Sequence, residues 1–305
     1  MKLRIGTRGS KLALWQANYI GELLCQVDAG VEIELCVIKT KGDRTRNVPF
    51  AAIGSKGVFV KEIEDALLGG RIELGVHSLK DMPTQLPRGL VLGAVTKREE
   101  AWDVLVTREG CGLDELKRGA KVGTGSLRRA AQLRAYRRDL EIVGIRGNVD
   151  TRLRKLHAGE VDATVLAAAG LMRLGLTSIP QHRIPYEVML PAMGQGALGI
   201  EVREGEFSEL LGAISDEETF RAIRAERALL RRLGGGCRTP IGCLGEVMGS
   251  MLSLEGVVCD PEGRRVVRWR REGDTGKPED IGEALAEDLL ARGARKILEE
   301  IRTGY

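Results

Sequence analysis

Apolar positions in the first two-thirds of the chain alternate between a period of two and a period near 3.6. That pattern predicts strands and helices in turn. Residues 3–6 read as a short strand, and Ser10 can cap a helix whose apolar face is Leu12, Trp15, Tyr19, Leu23 and Val27. Residues 31–38 read as a second strand. Residues 39–57 have no period and glycine-rich ends, the pattern of a lid or binding loop. Phe59, Ile63, Ala66 and Leu67 then mark a helix that Gly69-Gly70 stops, and residues 72–76 form a strand running into His77-Ser78-Leu79-Lys80-Asp81. A second α/β run has strands at 103–107, 120–123, 141–145 and 162–166. A strand at 197–202 rejoins the first run. After residue 215 the pattern changes to one amphipathic helix (216–233), two strands (251–259 and 264–271) about an Asp260-Pro261-Glu262-Gly263 turn, and a helical tail (278–301). The expected architecture is two α/β domains, 1–98 with 196–214 and 99–195, plus a small α+β domain, 215–305.

The 305 residues are 43% hydrophobic and 30% charged, an ordinary globular balance. No apolar run approaches the roughly 18 residues of a membrane span, and the amino terminus has no signal-peptide core, so a soluble cytosolic protein is expected. None of the six cysteines forms C-x-x-C and there are three histidines, so no metal site is expected. Cys25, Cys36 and Cys259 fall in helix or strand patterns and read as core; Cys111 and Cys243 stay undecided. Residues 121–155 hold ten Lys/Arg against three Asp/Glu, a local +7 within a chain of net +4, which suits an anionic partner. Aromatics at 4% speak against a single-stranded nucleic acid.

Polar clusters fall at the carboxyl ends of predicted strands, where α/β sheets bind ligands. They are Thr7-Arg8-Gly9-Ser10, His77 to Asp81, Gly123-Thr124-Gly125-Ser126-Leu127-Arg128-Arg129 and Arg146-Gly147-Asn148. Ser126 is a natural N-cap, which puts Arg128 and Arg129 in a first helical turn. Cations there oppose the helix dipole unless an anion binds, or unless both side chains reach solvent. With Arg146 and Arg152 they predict a ligand bearing several carboxylates or phosphates. Asp81, the one acid among these clusters, is either an ion-pair partner for Lys80 or a functional carboxylate. Cys237 follows Gly234-Gly235-Gly236 on a loop near Arg231, Arg232 and Arg238, which favours a thiolate; a reactive thiol and an ordinary loop cysteine both fit.

Taken in order, these clusters, with Gly57-Val58-Phe59-Val60-Lys61-Glu62, Pro191-Ala192-Met193-Gly194-Gln195-Gly196-Ala197 and Gly235-Gly236-Cys237, resemble the porphobilinogen deaminase (hydroxymethylbilane synthase) family nearly end to end. The resemblance implies two domains like type II periplasmic binding proteins, an active site in their cleft, and a third domain. In that third domain Cys237 would hold a dipyrromethane cofactor through a thioether. It implies a monomeric cytoplasmic transferase of heme and tetrapyrrole biosynthesis that joins four porphobilinogen units with loss of ammonia and releases 1-hydroxymethylbilane, with no nucleic-acid or membrane partner. Asp81 is then catalytic. Lys80, Asp81, Thr124, Ser126, Arg128 and Arg129 bind cofactor. Arg8, Ser10, Arg146, Arg152, Arg173 and Gln195 bind substrate, and Lys56 and Phe59 belong to an active-site loop. Gly125 stands where many relatives have serine. A solute receptor of the same fold and a basic nucleic-acid binder are the competing classes. The missing export signal and the loop thiol disfavour the first, and the acidic remainder of the chain disfavours the second.

Overall fold

The computed structural model describes residues 1–40, 60–236 and 239–303; most of the expected loop, with Lys56 and Phe59, and Cys237, the expected cofactor anchor, lie outside the described residues. The chain opens with β1 (Lys2–Thr7), α1 (Lys11–Val27) and β2 (Glu32–Val37). It continues with α2 (Lys61–Leu68), β3 (Leu74–Ser78), a 3-10 turn (Leu79–Asp81) and β4 (Leu90–Val95). Next come β5 (Asp103–Thr107), β6 (Lys121–Gly123), α3 (Leu127–Tyr136), β7 (Glu141–Val143), α4 (Val149–His157), β8 (Ala163–Ala167), α5 (Ala168–Arg173) and β9 (Gln181–Arg183). Then follow β10 (Leu198–Arg203), α6 (Ser208–Ile214), α7 (Glu217–Arg232), β11 (Ile241–Met248), β12 (Met251–Cys259), β13 (Val266–Asp274), α8 (Pro278–Leu289) and α9 (Arg295–Thr303).

Two compact units result: Met1–Glu99 with Gly196–Phe220, and Glu100–Gln195 with Arg221–Tyr305. The first holds a five-stranded sheet in the order β2-β1-β3-β10-β4, with β1 parallel to its neighbours and β10 antiparallel to β3 and β4. The second repeats that plan as β7-β6-β8-β5-β9, with β5 antiparallel. One antiparallel strand set fourth in an otherwise parallel sheet is the type II periplasmic-binding arrangement, as expected. In each unit that strand is the one the chain enters on crossing over, at 99–103 and at 196–198. Beside the second crossing, the Glu99 N–H donates to Gly196 O at 3.2 Å. Gly196 has φ +96°, and a Cβ there would lie 2.3 Å from Glu99 O, so only glycine fits.

The first core is built on Ile5, Ile20, Leu24, Leu74, Leu198 and Ile200, all fully buried. Each such side chain contributes roughly 1.5–3 kcal/mol relative to exposure. The face of α1 differs from expectation: Ala17, Ile20, Gly21 and Leu24 are buried, whereas Trp15 and Tyr19 are 37% exposed and Val27 45%. The two rings stack on one another, centroids 5.2 Å apart, instead of entering the core. Cys25 is exposed as well, contrary to its core assignment; Cys36 is half-buried, and Cys259 and Cys243 are buried. Burial pushes the Cys259 thiol up to about 12.

The carboxyl-terminal region forms its own antiparallel sheet, β11-β12-β13, one strand more than the pattern predicted. β11 escapes the pattern because its glycines, Gly242 and Gly245, interrupt the apolar run; a Cβ at Gly242 would lie 2.8 Å from Leu190 O. The sheet packs within the second unit. Gly263, at φ +66° in the β12–β13 turn, comes so close to α3 that a Cβ would sit 2.5 Å from the Ala135 nitrogen. The expected single helical tail is two helices, broken at Gly293 with φ +111°.

Candidate active site

In the first unit, β1 ends at Thr7, and Arg8 and Ser10 follow. Ser10 caps α1, its hydroxyl accepting the Ala13 N–H at 3.2 Å. β3 delivers Ser78 and then the turn carrying Lys80 and Asp81. Leu79 of that turn is fully buried and anchors it, while Asp81 is exposed. The Leu79 N–H donates to Ala197 O and the Met82 N–H to Leu79 O, each at 3.1 Å. The Gln16 amide donates to the Ser78 hydroxyl at 2.8 Å. Around these groups lies a cavity of about 70 Å³ that Arg8, Ser10, Gln16, His77, Ser78 and Asp81 help to line. Lys80 is half-buried at its edge in sequence and is not among the lining residues.

In the second unit, Thr124 and Ser126 follow β6, Arg146 follows β7, and Arg173 ends the short helix after β8. These are carboxyl ends of parallel strands. Thr124 is 3% exposed, and its hydroxyl accepts the Ser126 N–H at 3.2 Å. Ser126 caps α3 by accepting the Arg129 N–H at 3.4 Å. Arg152 donates through Nε to Gly147 O at 3.0 Å, and Arg173 is 8% exposed. A Cβ at Gly125 would lie 2.9 Å from Ile145 O, so a serine there would need the backbone to shift.

Arg128 and Arg129 do not reach solvent. They are 5% and 6% exposed and turn onto Asp103, the first residue of β5, which is fully buried. Arg128 Nη1 donates to Asp103 Oδ2 at 2.8 Å and to Leu190 O at 2.7 Å. Arg129 donates to Asp103 Oδ1 and, through Nη1, to Val165 O at 2.8 Å. Gln195, 1% exposed, adds its amide to the same Oδ1 at 2.9 Å and to Ala101 O at 2.6 Å. Among the described residues, two buried cations on one carboxylate leave one positive charge in excess, which is costly to bury unless a further anion completes the set.

Asp103 and Glu226 were missed by sequence reasoning. Glu226 is fully buried on α7 and accepts the Gly194 N–H at 2.7 Å and the Gly245 N–H at 2.8 Å. It thereby fixes the segment that carries Gln195. Asp103 had a readable signal, a lone acid opening the apolar strand Asp103-Val104-Leu105-Val106-Thr107. Part of the basic excess at 121–155 is also matched by acids outside that segment, Asp103 and Glu160. No helix among the described residues is long and apolar enough to cross a membrane.

Gly236 and Thr239, the described residues on either side of positions 237 and 238, are bonded to each other. The Gly236 N–H donates to the Thr239 hydroxyl at 2.9 Å, and the Thr239 N–H donates to Gly236 O at 3.0 Å.

Comparison with known proteins places the whole chain. A family model for "Porphobilinogen deaminase, dipyromethane cofactor binding domain" matches residues 3–209, and one for "Porphobilinogen deaminase, C-terminal domain" matches residues 220–291. The porphobilinogen deaminase of Pelotomaculum thermopropionicum is 50% identical over 303 residues, covering 99% of this chain and 97% of the relative. That of Desulforudis audaxviator is 51% identical over 302 residues, covering 98% of each. That of Moorella thermoacetica is 49% identical over 304 residues, covering 99% and 97%. With both parts of its length matched and full-length relatives at about half identity, the chain belongs to the porphobilinogen deaminase family.

Proposed function

We propose that this chain condenses four porphobilinogen units head to tail on a covalently held dipyrromethane. Each addition releases ammonia, and water then frees 1-hydroxymethylbilane, the open-chain tetrapyrrole on the route to heme. The observation that carries the reading is the buried Arg128–Asp103–Arg129 cluster with its excess positive charge. Each pyrrole of cofactor and product bears an acetate and a propionate, and such a carboxylate supplies the anion the cluster lacks. When bound, the dipyrromethane supplies the free pyrrole carbon to which the first substrate joins.

The chain's own residues do the rest. Cys237 is the thioether anchor. Lys80, Thr124, Ser126, Arg128 and Arg129 hold cofactor carboxylates. Arg8, Ser10, Arg146, Arg152, Arg173 and Gln195 hold the carboxylates of substrate and growing chain. Lys56 and Phe59 belong to a loop that covers the substrate. Asp81 accepts pyrrole N–H hydrogen bonds, and its charge offsets the positive charge that develops as the aminomethyl nitrogen leaves. Residues 215–305 act as the cofactor-bearing domain, in a cytoplasmic monomer.

Intact-protein mass spectrometry of the chain and of Cys237→Ser, both expressed in a porphobilinogen-making host, tests this. The expected result is an added mass of two deaminated porphobilinogen units on the first and none on the second. A chain that stays unmodified after incubation with porphobilinogen would overturn it.

A further inference from the structure

Beside the strand that presents Asp81 lies a set of ionisable groups that the proposed chemistry does not use. Glu201 on β10 is fully buried. His77 of β3, 5% exposed, places its Nε2 3.1 Å from a Glu201 carboxylate oxygen. The two atoms face each other at close range without the alignment of a hydrogen bond. In the antiparallel register Gly199 stands opposite His77, and Gly75 opposite Glu201. The contact is therefore a diagonal across one face of the sheet. Gly75 leaves the diagonal open, since a Cβ there would lie 3.0 Å from His77 Nε2 and 2.9 Å from Ile63 Cγ2. Glu64 of α2, itself 7% exposed, belongs to the same electrostatic neighbourhood. His77 also lines the cavity that Asp81 lines.

An apolar pair would hold two strands together at least as well as a buried polar pair. What the polar contact adds is direction, because the imidazole must point over Gly75 to reach Glu201. We propose that His77 is a positioning residue for Asp81: clasped by Glu201, it fixes the end of β3 and with it the turn that presents Lys80 and Asp81. The link is short. Ser78 follows His77 directly, and the turn's first amide, Leu79 N–H, donates to Ala197, which immediately precedes β10. β10 thus holds the turn at two points, through Glu201 and through Ala197. The proposal rests on the reading of Asp81 as the reacting carboxylate.

The test uses cofactor-loaded protein with porphobilinogen as substrate, in four forms: unaltered, His77→Gln, Glu201→Gln and the double variant. Each single change is expected to lower kcat about tenfold with KM within about twofold. The double variant is expected to lose no more than either single, since both changes break one link. Amide exchange at Leu79 and Met82 is expected to quicken about tenfold in all three variants. Additive losses, or unchanged exchange at the turn, would overturn the proposal. Unchanged kcat would overturn it too if Asp81→Asn, measured alongside, is inactive. If Asp81→Asn is also active, the reading of Asp81 fails instead, and exchange at the turn alone decides whether His77 holds it. Should His77→Gln fail to fold, Gly75→Ala crowds the same contact while keeping both ionisable groups. It should reproduce the kcat loss and the faster exchange.

Discussion

Arg129 grips Asp103 with two nitrogens on one oxygen, Nε at 3.2 Å and Nη2 at 2.7 Å from Oδ1. Arg128 takes the other oxygen. Burial alone would push the Asp103 carboxyl up, but the two guanidiniums outweigh it and hold the carboxyl well below the usual carboxylate range. This stabilisation is therefore present above the ordinary value of 3.8 and is lost only in stronger acid. Burial acts the other way on Arg128, lowering its hold on the proton, and Asp103 offsets that.

Removing one of the two cations is the informative change. Arg128→Leu leaves Asp103 paired with Arg129 and cancels the excess charge, so the fold should survive. Cofactor loading, read by intact mass, should fall to well under half. Full loading would remove the account of the first-turn arginines. Asp103→Asn is the contrasting case: it leaves two buried guanidiniums without a counter-charge and should cost about 3–5 kcal/mol in chemical unfolding.

Asp81 is exposed on a turn anchored by buried Leu79, so Asp81→Asn should not change the melting temperature. Turnover should fall about a hundredfold or more, because the amide cannot offset the developing positive charge. Near-normal turnover of porphobilinogen would sink the assigned role.

Glu64 gives a prediction in pH. Burial first, then Glu201, raises its carboxyl from 4.5 to about 7, while His77 and Lys61 pull it back and Asp65 adds to the rise. The folded chain thus binds the extra proton between those values. The contribution of Glu64 to stability is full below about pH 4.5 and is lost as pH rises through about 7. Glu64→Gln removes that slope. Between pH 4.5 and 8 the variant should gain about 2 kcal/mol relative to the unaltered chain, the roughly 3 kcal/mol of the full rise less solvent screening, measured by urea unfolding at a series of pH values. Parallel stability curves would contradict the burial argument.

Several elements were readable because one periodicity dominated them. β5 and β12 lie where apolar runs bounded by turn residues put them, and α7 follows its amphipathic stripe within a residue at each end. The rejoining of β10 to the first sheet was also legible. The face of α1 was not. Trp15 and Tyr19 satisfy helical spacing as well as Ala17, Ile20 and Leu24 do, and composition cannot say that two rings will stack outside. The clusters at strand ends were visible as clusters, yet the direction of Arg128 and Arg129 was not. Their partner lies 25 and 26 residues away, on β5, the antiparallel strand of the second unit's sheet. The His77–Glu201 diagonal spans a still longer separation and depends on a missing side chain at Gly75.

The position of β10 bears on how the chain must be made. This strand lies between β3 and β4, yet residues 100–195 are translated before it. At roughly 5–20 residues per second, the first sheet waits many seconds for its missing interior strand. Throughout that interval β3 and β4 each present an unpaired edge, and Leu74, Val76 and Ala94 lack the Leu198 and Ile200 side chains that cover them in the finished core. The second sheet has no such delay, because β5 to β9 are consecutive. The inserted unit's sheet can therefore form on the ribosome while the amino-terminal one is still open, and the nascent chain is most exposed to aggregation at the end that was synthesised first.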